Sequence, residues 1–363
     1  MVKSVVSSRE KKGYIDFIYK LYANDSSFVD TSVFIVKTFL YQKDSFTREC
    51  FIRPVVYKDR DKTVAQVMFI HHRDFPYLQV GFFDALPEQQ QAVNVLIFEA
   101  RKEAKQRGLN KIVIGLNGHV SYGVGILTSG FEKRISFDSL YNKRYYEAYF
   151  DSMNLNKRSL YAYGFTIEGI KRRISHMTEK THKRFDFRTM NMNNFENEML
   201  LFGSLCNSCL NETFLYYDRD PKHLYELVKE MKFLLKPENL LFALKDGKEV
   251  GFYFWHPDYN EIIKPGVRNS LVKIFLNFLF RKKSIKNIKV NALGILPEHH
   301  SMGAIVGLFQ EGLKYTDGIY EGGETSFVWD SNMKSRKINH GLGNSEARRY
   351  AVYIDEIKNG VAA

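Results

Sequence analysis

The sequence predicts an α/β protein made of two similar domains, each a mixed sheet with helices on its faces. Stretches rich in β-branched and aromatic residues alternate with one-faced helical patterns along 363 residues, a length that accommodates two domains. The triplet Leu86-Pro87-Glu88 recurs 210 positions later as Leu296-Pro297-Glu298, and Gly108 recurs as Gly318 at the same spacing. Matching turn chemistry at one constant spacing indicates an internal duplication.

The first predicted domain covers residues 1–176. A helix is expected over Tyr14 to Leu21, followed by strands rich in residues that favour sheets: Cys50 to Tyr57, Val64 to His71 and Leu78 to Phe83. The next helix has one apolar face, formed by Val93, Leu96, Ile97, Ala100 and Ala104. Gly108 ends this helix, and a strand over Lys111 to Leu116 follows.

The second predicted domain covers residues 177–363 and repeats this order after a charged linker, His176 to Lys183. Strands are expected at Arg184 to Met190, Leu240 to Lys245, Val250 to Trp255 and Ile288 to Ile295, with Asp246-Gly247 as a hairpin turn. A helix ending at Gly318 leads to a strand that reaches Trp329. A strand–helix–strand order implies a right-handed crossover between parallel strands.

The composition restricts the class of protein. A formal charge of +12 favours anionic partners, but no long basic run occurs, so a solvated basic surface is preferred over specific nucleic-acid binding. Of three cysteines, Cys206 and Cys209 form a lone C-x-x-C pair without further zinc ligands. Few cysteines, no signal-peptide core and no apolar run of about 20 residues predict a cytoplasmic protein.

Each half has a turn between a strand and a helix, and the two turns differ in their suitability for binding an anion. A helix that starts directly after a strand offers N–H groups and a positive dipole end. In the second half the turn is Pro297-Glu298-His299-His300-Ser301-Met302-Gly303-Ala304, whereas in the first half it is Pro87-Glu88-Gln89-Gln90-Gln91-Ala92-Val93, without glycine. His299 and His300 are adjacent and diverge in direction, so no metal site is expected.

The second turn resembles the acetyl-CoA loop of the GNAT superfamily of N-acetyltransferases, which has Arg or Gln, two residues, Gly, one residue, and Gly or Ala. The frame here is His300 to Ile305, with Gly303 at the central glycine and with His and Ile at the first and last positions. The whole chain is also similar to bacterial proteins with two such repeats. The resemblance implies two tandem GNAT domains, the second of which binds acetyl-CoA or another acyl-CoA through Leu293, Ile295, His300, Ser301, Met302, Gly303, Ala304, Ile305 and Asn332.

Acyl transfer to an amine needs a proton acceptor, because neutralising a lysine-like amine at pH 7 costs about 4.6 kcal/mol. Near the site that the resemblance implies, Glu324 and His256 are the candidate bases. Tyr350 or Tyr353 is the candidate proton donor to the departing thiolate. The alternatives are a solvent-facing strand residue for Glu324, a loop histidine for His256 and core packing for either tyrosine.

Two further segments are candidates for binding. The glycine-rich stretch Gly118 to Gly125 lacks the Lys-Ser/Thr pair of a nucleotide-binding loop, and is either a plain turn-rich loop or a lining of the substrate cleft. The residues predicted for such a lining are Asn117, His119, Ser121 and Tyr122. The basic amphipathic stretch 270–283 either packs on its own domain or makes a peripheral membrane contact.

Three functions follow from this resemblance. The preferred one is an acyl-CoA-dependent N-acyltransferase, most simply an N-acetyltransferase, that acts on a small-molecule or peptide amine. The second is a non-catalytic binding protein that keeps the fold but has lost acetyl-CoA. The third is a peptide transferase that uses aminoacyl-tRNA, which the positive charge would suit but which no tRNA-binding motif supports.

Overall fold

The computed structural model describes residues 1–30, 33–175, 185–266, 268–300 and 302–357, so the predicted linker lies outside the described residues. The chain divides into two compact units. Unit 1 consists of Met1–Leu160, Lys264–Asn269 and Arg348–Ala363, and unit 2 of Tyr161–Ile263 and Ser270–Ala347.

The predicted helices and strands occur in the predicted order, and the described residues contain further elements that were not predicted. The helices are α1 Ser8–Leu21, α2 Val33–Tyr41, α3 Ser45–Glu49, α4 Gln90–Gln106, α5 Tyr146–Asp151, α6 Ile167–Ser175, α7 Phe195–Leu210, α8 Pro221–Lys229, α9 Leu271–Arg281, α10 Met302–Thr316 and α11 Met333–Gly341. The strands are β1 Val2–Ser4, β2 Phe51–Asp59, β3 Lys62–His71, β4 Leu78–Ala85, β5 Lys111–Ile114, β6 Ile126–Ser129, β7 Asn156–Thr166, β8 Asp186–Thr189, β9 Leu240–Lys245, β10 Lys248–Pro257, β11 Asn287–Ile295, β12 Gly322–Trp329 and β13 Ser345–Glu356.

Unit 1 contains a mixed sheet in the order β1-β2-β3-β4-β5-β13, with β6 also paired to β13. β4 and β5 are parallel, and the neighbouring pairs are antiparallel. α4 connects β4 to β5 and places its apolar face on the sheet, where Val93, Leu96 and Ile97 pack against Phe69 and Val80. This is the predicted strand–helix–strand crossover.

Unit 2 contains the corresponding sheet, in the order β7-β12-β11-β10-β9-β8. β11 and β12 are parallel, and β9, β10 and β11 are antiparallel neighbours. α10 connects β11 to β12 and packs Ala304 and Leu308 against Tyr253 and Trp255. On the other part of the core, Phe202 of α7 contacts the rings of Phe252 and Phe254.

The duplication predicted from the Leu-Pro-Glu triplets is confirmed in local geometry. The Leu86 N–H donates to the Val64 carbonyl at 2.8 Å, and the Leu296 N–H donates to the Val250 carbonyl at the same distance. Gly108 and Gly318 have φ angles of 72° and 70°, which glycine adopts without the steric cost of a side chain. β4 and β11, the strands before these turns, each contain an extra residue relative to the neighbouring strand.

The units differ from the predicted domains in their last strands. β13 pairs Tyr353 with Ile114 of β5, so residues from Arg348 onward belong to unit 1, although they were predicted in the second domain. Residues 161–175 belong to unit 2, where the Tyr163 N–H donates to the Thr325 side chain at 3.0 Å. Pairing between strands distant in sequence decides this division, and chain order alone does not reveal it.

Among the described residues, no helix is both long and apolar enough to cross a membrane.

Candidate functional site

The sheet of unit 2 opens between its two parallel strands. β11 and β12 pair only from Asn287 with Gly322 to Val290 with Thr325, although β11 continues to Ile295 and β12 to Trp329. The register between β10 and β11 shifts just after Val290, which marks a β-bulge. A bulge bends a strand and increases its twist, so it turns β11 away from β12. We call this opening the β11–β12 gap.

The helix that follows β11 starts beyond a short turn. Pro297–His299 form one 3-10 turn, and α10 begins at Met302. Gly303 and Ala304 are buried in the first turn of this helix. In unit 1, α4 begins at Gln90, two positions earlier than the repeat spacing of 210 predicts from α10, and the position equivalent to Gly303 is the buried Val93. Unit 2 therefore combines a longer turn with a residue that lacks a Cβ.

Three titratable side chains form a row across the strands beside the gap. His256 of β10 is paired with Lys289 of β11, and Lys289 is paired with Glu324 of β12. Side chains at paired positions extend from the same face of a sheet. The three residues are 2%, 3% and 6% exposed, so the sequence-predicted bases His256 and Glu324 lie in one buried row with Lys289 between them.

The Lys289 ammonium donates hydrogen bonds to a carbonyl and to a carboxylate. It donates to the Thr325 carbonyl at 2.9 Å and to Glu324 Oε1 at 3.3 Å. A buried ammonium is strongly destabilising unless it is paired, so Glu324 compensates the Lys289 charge. The alternative of a solvent-facing Glu324 does not fit this burial.

His256 is a neutral imidazole at pH 7. Burial lowers the pKa of His256 to about 4, because the charged form would lose its hydration, and Lys289 contributes a repulsive charge in the same direction. His256 Nδ1 lies 2.8 Å from the Pro257 carbonyl oxygen, which only accepts, so Nδ1 carries the proton and Nε2 the lone pair. His256 also stacks on Tyr259, with ring centroids 5.4 Å apart.

The other predicted cofactor residues that the structure describes lie on β11, in the turn before α10, in α10 and at the start of α11. Ile295 is buried and Leu293 half-buried on β11, and His300 is exposed in the turn before α10. Asn332 caps α11, because its side-chain oxygen accepts from the Ser335 N–H at 3.0 Å. Ile305 is half-buried in α10, and Ser301 lies outside the described residues.

Tyr350 and Tyr353 do not belong to the unit that contains Glu324. Both lie on the part of β13 that belongs to unit 1. The Tyr353 hydroxyl donates to Asp151 at 2.9 Å, and burial together with this carboxylate raises the pKa of Tyr353 far above its usual value. Tyr350 is 4% exposed and lies against Gly125. These contacts fit the alternative in which both tyrosines pack in the core.

The four predicted cleft residues are part of a loop that closes the equivalent opening in unit 1. β4 and β5 pair only up to Val80 and Ile114. Beyond this point the Phe82 N–H donates to the Asn117 side chain at 2.8 Å, and Gln79 exchanges two hydrogen bonds of 2.7 Å with the Gly118 backbone. Gln79 and Lys289 occupy equivalent positions in the duplication.

The remaining residues of this loop are held inside unit 1. The Tyr122 hydroxyl donates to Asp44 at 2.8 Å, and its ring contacts Phe39 and Phe46. His119 is 1% exposed and accepts from the Ser121 N–H at 3.2 Å. In unit 1 the chain's own loop therefore lies beside the end of β4, where β4 and β5 stop pairing.

Asp84, a strongly perturbed acid at the end of β4, was not predicted from the sequence. Burial raises the pKa of Asp84 to about 7, although Tyr22, Gln66 and Tyr146 donate hydrogen bonds to its carboxylate at 3.0, 3.3 and 3.2 Å. No sequence motif marks this residue, because its donors come from segments far away in the sequence.

We expect Asp84 to make unit 1 less stable as the pH rises. The folded pKa near 7 exceeds the unfolded value of 3.8, so folding takes up a proton between these pH values, and each pH unit costs about 1.4 kcal/mol. Between pH 5 and pH 6.5 wild type should lose about 2 kcal/mol relative to Asp84→Asn. Hydrogen exchange of β4 amides in both proteins measures this difference. An equal pH response would show that Asp84 titrates normally.

The described residues contain no group of three or more His, Cys, Asp or Glu side chains that could hold a metal ion.

Comparison with known proteins shows the fold. No protein-family model and no curated protein sequence matches the chain. Among solved structures, a tandem GNAT protein from the clavulanic acid biosynthesis pathway, solved without AcCoA, has a TM-score of 0.59 at 10% identity, covering 99% of this chain and 100% of its own.

Two further solved structures agree. A conserved protein of Enterococcus faecalis V583, described as a probable N-acyltransferase, has a TM-score of 0.56 at 10% identity, with 98% of this chain and 72% of its own covered. A GCN5-related N-acetyltransferase from Anabaena variabilis has a TM-score of 0.53 at 10% identity, with 99% and 73% covered. The chain therefore has the tandem GNAT fold that the sequence predicted.

Proposed function

We propose that the protein is an acyl-CoA-dependent N-acyltransferase in which unit 2 alone binds the acyl-CoA. The observation that carries this proposal is the difference between the two openings: the chain's own loop is hydrogen-bonded to β4 in unit 1, whereas β11 and β12 separate in front of α10 in unit 2. The similar structures include a GCN5-related N-acetyltransferase and a probable N-acyltransferase, which supports the reaction class.

The residues around the gap fit an anionic, elongated cofactor. The N-terminus of α10 has a positive dipole end that favours a pyrophosphate, and Gly303 gives the backbone there the least bulk. At the far end of β12, the buried Trp329 indole N–H has no hydrogen-bond partner among the described residues. A buried donor without a partner costs about 1–3 kcal/mol, which a ligand acceptor would offset.

When bound, acyl-CoA would supply an acyl group activated as a thioester. The chain's own contribution would be to orient the amine and to accept its proton. The His256 Nε2 lone pair, directly or through water, is one acceptor, but its pKa of about 4 makes it a weak base. The Glu324 carboxylate is the other acceptor, and it would accept the proton while it lies beside the Lys289 ammonium. We assign Glu324 as the acceptor and His256 as a positioning residue.

A second candidate function is a non-catalytic binding protein. The burial of both bases favours it, because His256 and Glu324 are 2% and 6% exposed and already engaged with neighbours. Turnover and binding measured on the same preparation separate the two functions. Acetyl-CoA binding with thiol release in the presence of amines supports the transferase, and binding without thiol release supports the second candidate.

We expect Gly303→Val to weaken CoA binding at least about tenfold, because the side chain would crowd the phosphate and disturb charge-assisted hydrogen bonds worth about 1.5–3 kcal/mol each. The variant installs the residue that unit 1 already has at Val93. Calorimetric titration of CoA measures the affinity, and circular dichroism checks folding.

Two variants serve as controls. Gly341→Val lies at the end of α11, where an added Cβ would meet no atom within 4 Å, and should leave binding unchanged. His300→Ala should cost less than Gly303→Val, because the proposed contact uses the backbone. Equal binding by wild type and Gly303→Val would place the cofactor elsewhere, and no binding by wild type at millimolar CoA would contradict the proposed function.

A further inference from the structure

The surface of unit 2 carries a helix that is apolar on both sides. α9 buries Ile274 and Phe278, which are 3% and 9% exposed, and Phe278 contacts Tyr259 with ring centroids 5.3 Å apart. Through this inner face the helix packs on its own unit, which is one of the two interpretations given above for residues 270–283.

The outer face of α9 is also apolar. The exposed residues Val272, Leu276, Leu279 and Phe280 follow the spacing i, i+4, i+7 and i+8, which is one stripe of an α-helix. Phe280 is 86% exposed. Phe233, also exposed, packs its ring against Phe275 of the same helix at 5.0 Å. We call Phe233 and these four residues the α9 surface.

This concentration is unusual for a solvent-facing helix. Five of the eleven exposed large hydrophobic side chains among the described residues belong to the α9 surface. Single exposed apolar residues need no explanation, whereas a contiguous apolar patch marks an interaction site. Exposing an apolar stripe to water does not stabilise the unit, because burial of apolar surface is what lowers the free energy.

The charges beside the α9 surface identify its partner. No Asp or Glu occurs between Ile262 and Pro297, whereas this stretch contains eight Lys or Arg residues. Lys273, Lys282 and Lys283 are exposed, and in the part of the chain that the structure describes no carboxylate lies within ion-pairing distance of them. An apolar stripe flanked by these lysines, which form no ion pair among the described residues, complements a surface with anionic groups outside and an apolar layer below.

We propose that the α9 surface docks onto an anionic lipid bilayer. The apolar stripe would lie at the boundary between headgroups and acyl chains, with the lysines at the level of the phosphates. Attraction to an anionic leaflet increases with each nearby Lys or Arg and weakens with salt. This docking is peripheral and independent of the acyl-CoA site.

Sedimentation of the full chain with lipid vesicles tests this proposal. Wild type should bind vesicles of phosphatidylcholine with about 30% phosphatidylglycerol at least about tenfold more tightly than pure phosphatidylcholine vesicles, and less tightly at high salt. Lys282→Ala/Lys283→Ala and Phe280→Ser should each reduce binding at least about tenfold. The matched controls, Lys3→Ala/Lys62→Ala and Phe98→Ser, change exposed residues of unit 1 and should bind like wild type.

Two results would overturn the proposal. The first is that wild type does not bind anionic vesicles, or that the α9 variants bind these vesicles as tightly as the control variants do. The second is a dimer in solution that Phe280→Ser converts to a monomer, because the α9 surface would then contact a second copy of this chain. Analytical ultracentrifugation of wild type and Phe280→Ser measures this state, and circular dichroism confirms that the variants are folded.

Discussion

Glu324→Leu should reduce the free energy of unfolding of unit 2 by about 3–5 kcal/mol, because it leaves the Lys289 ammonium buried without its carboxylate. Both side chains of this pair are almost fully buried, at 4% and 8% exposure. Trp255 and Trp329, the two tryptophans of the chain, lie in unit 2. Tryptophan fluorescence during denaturant unfolding therefore reports on this unit alone.

Two further variants identify the cause of this loss. Lys289→Met/Glu324→Leu replaces both charges by apolar groups and should recover most of the stability, because buried ion pairs are often replaceable as pairs. Glu321→Gln removes the carboxylate of the Lys286–Glu321 pair, whose side chains are 55% and 72% exposed, and should cost less than about 1 kcal/mol. A loss for Glu324→Leu no larger than for Glu321→Gln would contradict the buried state of the pair.

Gly118→Ala should destabilise unit 1 by about 2–5 kcal/mol. Gly118 has a φ of +83°, which costs a residue with a side chain about 1–2 kcal/mol, and its Cβ would collide with the ring of Phe39. Overpacking of this kind costs a further 1–3 kcal/mol, roughly. Hydrogen exchange of the amides of β4, to which Gln79 fastens this loop, measures the loss.

Gly108→Ala is the matched control for this prediction. Gly108 is in the same unit and has a φ of +72°, but an added Cβ would meet no atom within 4 Å. It should therefore cost only the backbone part, about 1–2 kcal/mol. If both variants have the same effect, the close contact between the loop and Phe39 does not contribute to the closure of the unit 1 opening.

The repeated fold could be predicted because its signals are local. The Leu-Pro-Glu triplets, the two terminating glycines and the helix faces can be recognised without knowing which strands pair. β13 could not be assigned in this way. Its residues Arg349 to Ala351 pair with β6 and Tyr353 to Glu356 pair with β5, both in the first half, and therefore Tyr350 and Tyr353 lie in a different unit from Glu324.

The residues of the candidate site were predicted only in part for the same reason. His256 and Glu324 stand at the ends of recognisable strands, so their positions could be anticipated. Lys289 was not considered, because a lysine within Asn287–Ile295 looks solvent-facing until the register places it between His256 and Glu324. Likewise, the glycine-rich loop gave no indication that Gln79, 39 residues earlier than Gly118, would fasten it to β4.

Hydrogen exchange of the full chain with and without acetyl-CoA tests the central claim most directly, because it reports both binding and its location. We predict slower exchange in the first turn of α10, around Gly303, and along Leu293 to Ile295, with no change at the start of α4 around Gln90. Unchanged exchange at saturating acetyl-CoA, or protection at Gln90 instead of Gly303, would contradict the assignment of the cofactor site to unit 2.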